Sequence, residues 1–264
     1  MNLDHNKYGI GPVQLIVLHG LLGSARNWHT VAQELAKHHA VLAVSLRNHG
    51  RSPHGPHTIE FMQADLLELV KTHNIDKCFV LGHSMGGLVA MSFAVERPEH
   101  LKGLVVVDIA PELRLNRIAW ILEAMLQVDL SRVSRKNEAD SQLAARIPHP
   151  AMRHFLLQNL KRQADGHYVW QCNLPELYRF VQLSAPNLFA ENEQFHGATL
   201  FISGERSEQN LAKKSEMIRK HFPNMEFVTV PGAGHWVHVD AMPQFVDIVA
   251  EFIGRDDPGK ALIL

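Results

Sequence analysis

Along this chain, apolar residues fall into short runs of strand length, separated by stretches in which they recur at helical spacing. Runs at residues 13–18, 40–46, 78–81, 101–107, 199–204 and 225–230 are apolar with little alternation, the pattern of strands buried on both faces. Between the first two, residues 27–38 set Trp28, Val31 and Leu35 on one helical face, with Glu34, Lys37 and His38 off it. Thr58 is placed to cap a second helix carrying Phe61, Leu66, Leu69 and Val70. A third, rich in Ala, Leu, Val and Met, follows Ser84 and stops near Arg97-Pro98; a last one spans residues 243–253 before a polar tail. Strands alternating with helices of this length predict βαβ units, hence an α/β fold: a mostly parallel sheet with helices on both faces. About a dozen residues precede the first strand, room for one short extra strand.

The pattern changes near Glu112. From there to about Glu191 no strand-like run compares with those above; helical stretches at 118–126, 138–146, 152–162 and 174–183 are punctuated by Pro148, Pro150, Pro175 and Pro186. The expected organisation is therefore a core of residues 1–111 and 192–264, with a helical insertion, 112–191, after the strand ending at Asp108. Because loops at the carboxyl ends of parallel strands build the active sites of open α/β sheets, the insertion should sit over Ser84 as a cap.

Composition narrows the function classes. Lys plus Arg number 26 against 27 Asp plus Glu in 264 residues, so no net charge draws the chain to nucleic acid. No apolar stretch reaches the ~18 residues of a membrane span, and no basic stretch leading into an apolar run marks a secretory signal at the N-terminus. Two cysteines, Cys78 and Cys172, make no disulfide framework, and a cytoplasmic location is the expectation. The 18 histidines raise a metal hypothesis, but H-E-x-x-H, H-x-H and Cys pairs at ligand spacing are all missing. Neither metal nor cofactor is expected.

The chemistry concentrates in Gly82-His83-Ser84-Met85-Gly86. A strand before it, a tight turn and a helix after it resemble the nucleophile elbow of the α/β-hydrolases, with Ser84 at the apex. A serine hydroxyl needs a base within hydrogen-bond reach and a third group to orient that base. In the chain order of that superfamily the histidine comes last, and His235, behind Gly232 and Gly234 on the loop after the last strand, fits; His238 is its nearest rival. The acid has two candidate places. The commoner one, in the loop after residues 199–203, reads Gly204-Glu205-Arg206-Ser207-Glu208, with Ser207 where an Asp would stand. The other is Asp108, which ends Val105-Val106-Val107 at the same end of the sheet as Ser84. Asp108 is favoured over Glu205, with Glu208 third. The backbone amides of Leu21 and Met85 are the expected oxyanion donors, and His19 is expected to bond nearby backbone.

Together with the elbow, His19-Gly20-Leu21-Leu22-Gly23-Ser24, Leu46-Arg47-Asn48-His49-Gly50-Arg51-Ser52, Val107-Asp108-Ile109-Ala110-Pro111 and Gly232-Ala233-Gly234-His235-Trp236-Val237-His238 resemble one α/β-hydrolase group, that of the bacterial esterase YbfF and its abhydrolase-domain-11 relatives. The resemblance spans the core and is loose in the insertion. It implies carboxylesterase or acyl thioesterase activity, acyl-CoA included, and an acid at Asp108. Ser45 departs from the family's usual Asp, which bears on a contact beneath the loop. A carbon–carbon bond hydrolase on the same triad and a non-catalytic ligand receptor are the alternatives; dehalogenases and epoxide hydrolases carry Asp at the elbow, against Ser84. The expected partner is a small acyl ester or thioester, for which Trp120, Met125, Phe155, Trp170, Phe180 and Phe189 are candidate pocket residues.

Overall fold

A computed structural model describes residues 1–185 and 187–255; Pro186 and the polar tail beyond Arg255 lie outside the described residues. The chain opens with β1 (His5–Tyr8), β2 (Leu15–Leu18), α1 (His29–Leu35), β3 (Val41–Val44), α2 (Ile59–Thr72), β4 (Cys78–His83), α3 (Met85–Glu96) and β5 (Leu101–Val107). It continues through β6 (Leu113–Arg114), α4 (Ala119–Leu126), α5 (Lys136–Ala144), α6 (Pro150–Leu156), β7 (Leu160–Arg162), β8 (Tyr168–Trp170), α7 (Leu174–Gln182) and β9 (Ser184–Ala185). It ends with β10 (Ala198–Gly204), α8 (Ser215–His221), β11 (Met225–Val230), the short α9 (Val237–Asp240) and α10 (Met242–Gly254).

Seven strands form the main sheet in the order β1-β3-β2-β4-β5-β10-β11. Every neighbouring pair is parallel except β1 with β3, so the extra N-terminal strand forms and runs antiparallel at the edge. Alternation through the sheet divides the core in two. Ile16, Leu18, Val80 and Val106 face a cluster shared with α2 and α3, while Leu15, Val17, Leu81 and Val107 face one shared with α1 and α10. Helices thus cover both faces, as the apolar runs require. Helix α3 is buried from Met85 to Ala94, which is why it reads as apolar all round. Among the described residues, no helix is long and apolar enough to cross a membrane.

Parallel register places the chemistry. His83 pairs with Val107, and Val107 with Ile202, so Ser84 and Asp108 leave neighbouring strands at the same level.

The segment 112–191 departs from its purely helical reading. Helix α6 ends at Leu156, and β7 and β8 form a hairpin with Gly166 at φ 92° in its turn; β6 and β9 make a second pair. Strands of two or three residues are too short to show a period, so their apolar residues merge into the helical spacing around them. Helix α8, with Ile218 buried, was not anticipated. Thr58 caps α2 as expected, accepting from the Phe61 N–H at 3.3 Å, but the Phe61 ring is exposed and lies 4.8 Å from the Arg47 guanidinium.

Candidate active site

Ser84 stands between β4 and α3 with φ 52° and ψ −120°, left-handed backbone that a serine adopts only under constraint. The constraint is packing. A Cβ on Gly82 would lie 2.2 Å from the Gly86 carbonyl oxygen, and one on Gly86 2.5 Å from that of Leu18. Only glycines let the turn close this tightly. The Ser84 N–H donates to the Val107 carbonyl at 3.0 Å, tying the apex to the end of β5.

Asp108, fully buried and itself at φ 54°, accepts from His235 Nδ1 at 2.7 Å. Its carboxylate also receives the Gly204 N–H at 3.2 Å, Ser203 Oγ at 3.4 Å and the hydroxyl of Ser207. Four donors around one buried carboxylate are what an ionised group needs there. Ser207, at the position where the commoner arrangement would put an acid, thus hydrogen-bonds the carboxylate at the other candidate position. Neither rival carboxylate bonds His235. Exposed Glu205 accepts from the Gly232 N–H at 2.8 Å, holding the far side of the histidine loop, and Glu208 is exposed. With Nδ1 committed to Asp108, Nε2 is the His235 nitrogen left for proton transfer. No hydrogen bond joins Ser84 Oγ to His235 among the described residues, although both line one cavity.

Two buried histidines brace this loop. His83 Nε2–H donates to the His235 carbonyl at 2.9 Å, and burial holds its pKa well below the usual histidine value. His238, in α9, stacks on Trp28 at 4.1 Å and is pushed down to about 3 by burial, so it is neutral. The rival to His235 therefore fills a packing position. His83 escaped notice in the sequence because only its place beside the nucleophile distinguished it.

On the opposite side, residues 20–23 form a bend closed by Gly23 N–H to Gly20 O at 3.0 Å. A Cβ on Gly20 would approach that of Ser84 to 3.2 Å, so this bend abuts Ser84. Among the described residues neither the Leu21 nor the Met85 N–H donates a hydrogen bond within the protein. His19, beneath the bend, donates from Nδ1 to Gly20 O at 2.7 Å and accepts from the Leu46 N–H at 2.9 Å; burial drives its pKa down to about 4. Ser45, in place of the family's Asp, accepts from the Ala25 N–H at 3.1 Å and bonds Asp4 at 3.3 Å. A carboxylate from the N-terminal strand region thus reaches the place the substitution left without one.

A cavity of about 740 Å³ opens on Ser84, within the size range of small-molecule sites. Leu21, Leu22, Ile118, Ile121, Phe155 and Trp236 supply apolar wall, while exposed Arg26, Lys136 and His154 lie along it. Of the six candidate pocket residues only Phe155 lines it. Met125 and Phe180 are core, and Trp120 is 46% exposed; helical spacing alone does not tell a pocket face from a packing face. Among the described residues, no group of three or more His, Cys, Asp or Glu side chains is placed to hold a metal ion.

Comparison with known proteins agrees with this fold. A family model described as alpha/beta hydrolase fold matches residues 14–241. The chain is 36% identical to a Danio rerio protein named sn-1-specific diacylglycerol lipase ABHD11, over 90% of this chain and 78% of the relative. It is 29% identical to Esterase YbfF of Escherichia coli (strain K12), over 89% of this chain and 90% of that one. Among solved structures, a marine microorganism esterase superposes with a TM-score of 0.87 at 34% identity, covering 95% of this chain and 98% of the other.

Proposed function

The chain belongs to the alpha/beta hydrolase fold family, and from that membership we propose that it is a serine hydrolase of carboxylic esters and acyl thioesters. Ser84 attacks the acyl carbonyl, and His235 takes the proton and returns it to the leaving group. Asp108 fixes the imidazole tautomer, and the Leu21 and Met85 amides hold the oxyanion. Water then clears the acyl-enzyme by the same route. In this reading residues 1–111 and 192–264 are the core and 112–191 the cap, which supplies Ile118, Ile121, Met152 and Phe155 to the acyl side of the cavity. The observation that carries the proposal is the 2.7 Å bond from His235 to buried Asp108, on a cavity shared with a serine at an elbow. The lipase and esterase names of the relatives favour ester substrates. Arg26 and Lys136 favour acyl-CoA among thioesters, since cations along the cavity suit phosphates. Two buried cysteines, neither in a disulfide, support a reducing, cytoplasmic setting.

The test is release of p-nitrophenol from short acyl esters by purified protein, with fluorophosphonate labelling of Ser84. Ser84→Ala should lose both; undiminished turnover in that variant overturns the proposal. Parallel series of acyl esters and acyl-CoA thioesters then fix the substrate class. Arg26→Ala with Lys136→Ala should raise KM for acyl-CoA about tenfold or more and leave that for neutral esters unchanged, a loss in keeping with charge-assisted contacts.

A further inference from the structure

Leu22 is a non-glycine residue on left-handed backbone, φ 63°, in the bend that carries the Leu21 amide. Such a conformation costs a leucine free energy and persists only where its surroundings fix it. Two buried side chains do so from opposite sides. His49 Nε2 accepts the Leu22 N–H at 3.1 Å, while Asn159 Nδ2–H donates to the Leu22 carbonyl at 2.8 Å. His49 belongs to the loop after β3, and its Nδ1–H is anchored on the Arg47 carbonyl at 2.9 Å. Asn159 belongs to the segment 112–191, between α6 and β7. The same Asn159 amide donates to the Leu156 carbonyl at 3.3 Å, and the Asn159 carbonyl accepts from the Gln171 N–H at 2.8 Å. Its carboxamide therefore bridges a residue of the cavity wall, Leu156, to the bend beside Ser84.

We propose that Asn159 is a positioning residue for acyl transfer: it holds the Gly20–Gly23 bend in the strained form that aims the Leu21 amide at the oxyanion. The proposal rests on the serine-hydrolase reading. Asn159 touches no reacting atom; it acts through Leu22. Without its donor, the Leu22 carbonyl is a buried acceptor lacking this partner, and the bend is released on one side toward relaxed backbone. A displacement of about 1 Å in a group that stabilises the transition state lowers rate about 100-fold while leaving substrate binding largely intact. Because the bond originates in the insertion, an oxyanion donor on the core is set in place by the segment that shapes the acyl cavity.

The experiment compares wild type, Asn159→Ala and the near-isosteric Asn159→Asp, which carries no N–H to donate. Each is assayed on a short p-nitrophenyl ester and for inhibition by a trifluoromethyl ketone, whose adduct with the serine carries an oxyanion, and by the matching alcohol, which forms none. Expected are a fall in kcat of about 10- to 100-fold, KM within about twofold and trifluoromethyl ketone affinity lowered in step with kcat/KM, with alcohol affinity unchanged. If either variant folds and keeps wild-type kcat, the inference is overturned; if ketone and alcohol affinities fall together, the role is structural and the inference is likewise overturned. Should wild type hydrolyse no ester and escape fluorophosphonate labelling, the serine-hydrolase reading itself fails, a result distinct from either of those.

Discussion

The buried Asp108 carboxylate, after β5, accepts at Oδ1 from Ser203 and Gly204 at the end of β10, and at Oδ2 from Ser207 beyond β10 and His235 after β11. Asp108→Asn should cut turnover by about 10⁴-fold, because an amide stabilises the wrong imidazole tautomer; steady-state kcat on a short ester measures it, and a loss below tenfold would refute Asp108 as the acid. Ser207→Ala removes one of four donors and should cost far less, about tenfold, read in the same assay. Ser207 lies close enough for the two positions to exchange roles. Asp108→Asn combined with Ser207→Asp should recover at least tenfold of the lost kcat, since asparagine tolerates the φ of 54° at that position. Histidines add a pH dependence of stability. Burial lowers His19 to about 4 and His57 and His238 to about 3, so the unfolded chain binds protons that the folded one refuses. Their contribution is complete above the unfolded value of about 6.5 and is lost as pH falls below it, toward about 4 for His19 and about 3 for His57 and His238. Urea midpoints at pH 7.5, 6 and 5 should decline accordingly; a flat series would contradict neutral burial.

At the scale of elements, what could be read in advance was what period and local chemistry encode. The strands that became β5 and β11 stand where their apolar runs begin and end, and the other predicted ones shift by one or two residues at an end. The place of Asp108 was legible for the same reason: it breaks an apolar run at the end of the sheet where Ser84 breaks another. The hairpin of β7 and β8 was not legible, because three-residue strands have no period and gain their stability from pairing across a turn. Nor was Asn159, whose bond to Leu22 spans 137 positions and leaves no local signature. The pairing of Ser207 with Asp108 was half visible: the missing acid showed, its new partner did not. The elbow is sensitive to a single methyl group. Gly86→Ala would drive a Cβ into the Leu18 and His19 carbonyls, at 2.5 and 2.6 Å, where backbone cannot yield cheaply. It should destabilise the protein by about 3 kcal/mol or more, read as a lowered Tm or loss of soluble protein; wild-type Tm would show that the turn has slack.

For the molecule as a whole, the loop carrying Asn48 and His49 is anchored by an ion pair deep in the fold. Arg47 binds both carboxylate oxygens of Asp65 at 2.6 and 2.8 Å, with side chains 4% and 3% exposed, and the N-terminal ammonium adds a 2.8 Å contact. Removing one partner strands the other, so Asp65→Ala should cost about 3–5 kcal/mol; denaturant midpoints measure it, and a loss under 1 kcal/mol would mean that water reaches Arg47. A longer consequence follows from the chain leaving the sheet at β5 and returning at its neighbour β10, with the residues from 112 to 191 inside that one crossover. Such a crossover can be rewritten without disturbing any pairing of the seven-stranded sheet, so a lineage is free to change diet by changing this segment while inheriting Ser84, Asp108 and His235 intact. On the role proposed for Asn159, a new roof has to bring its own donor to the carbonyl of Leu22.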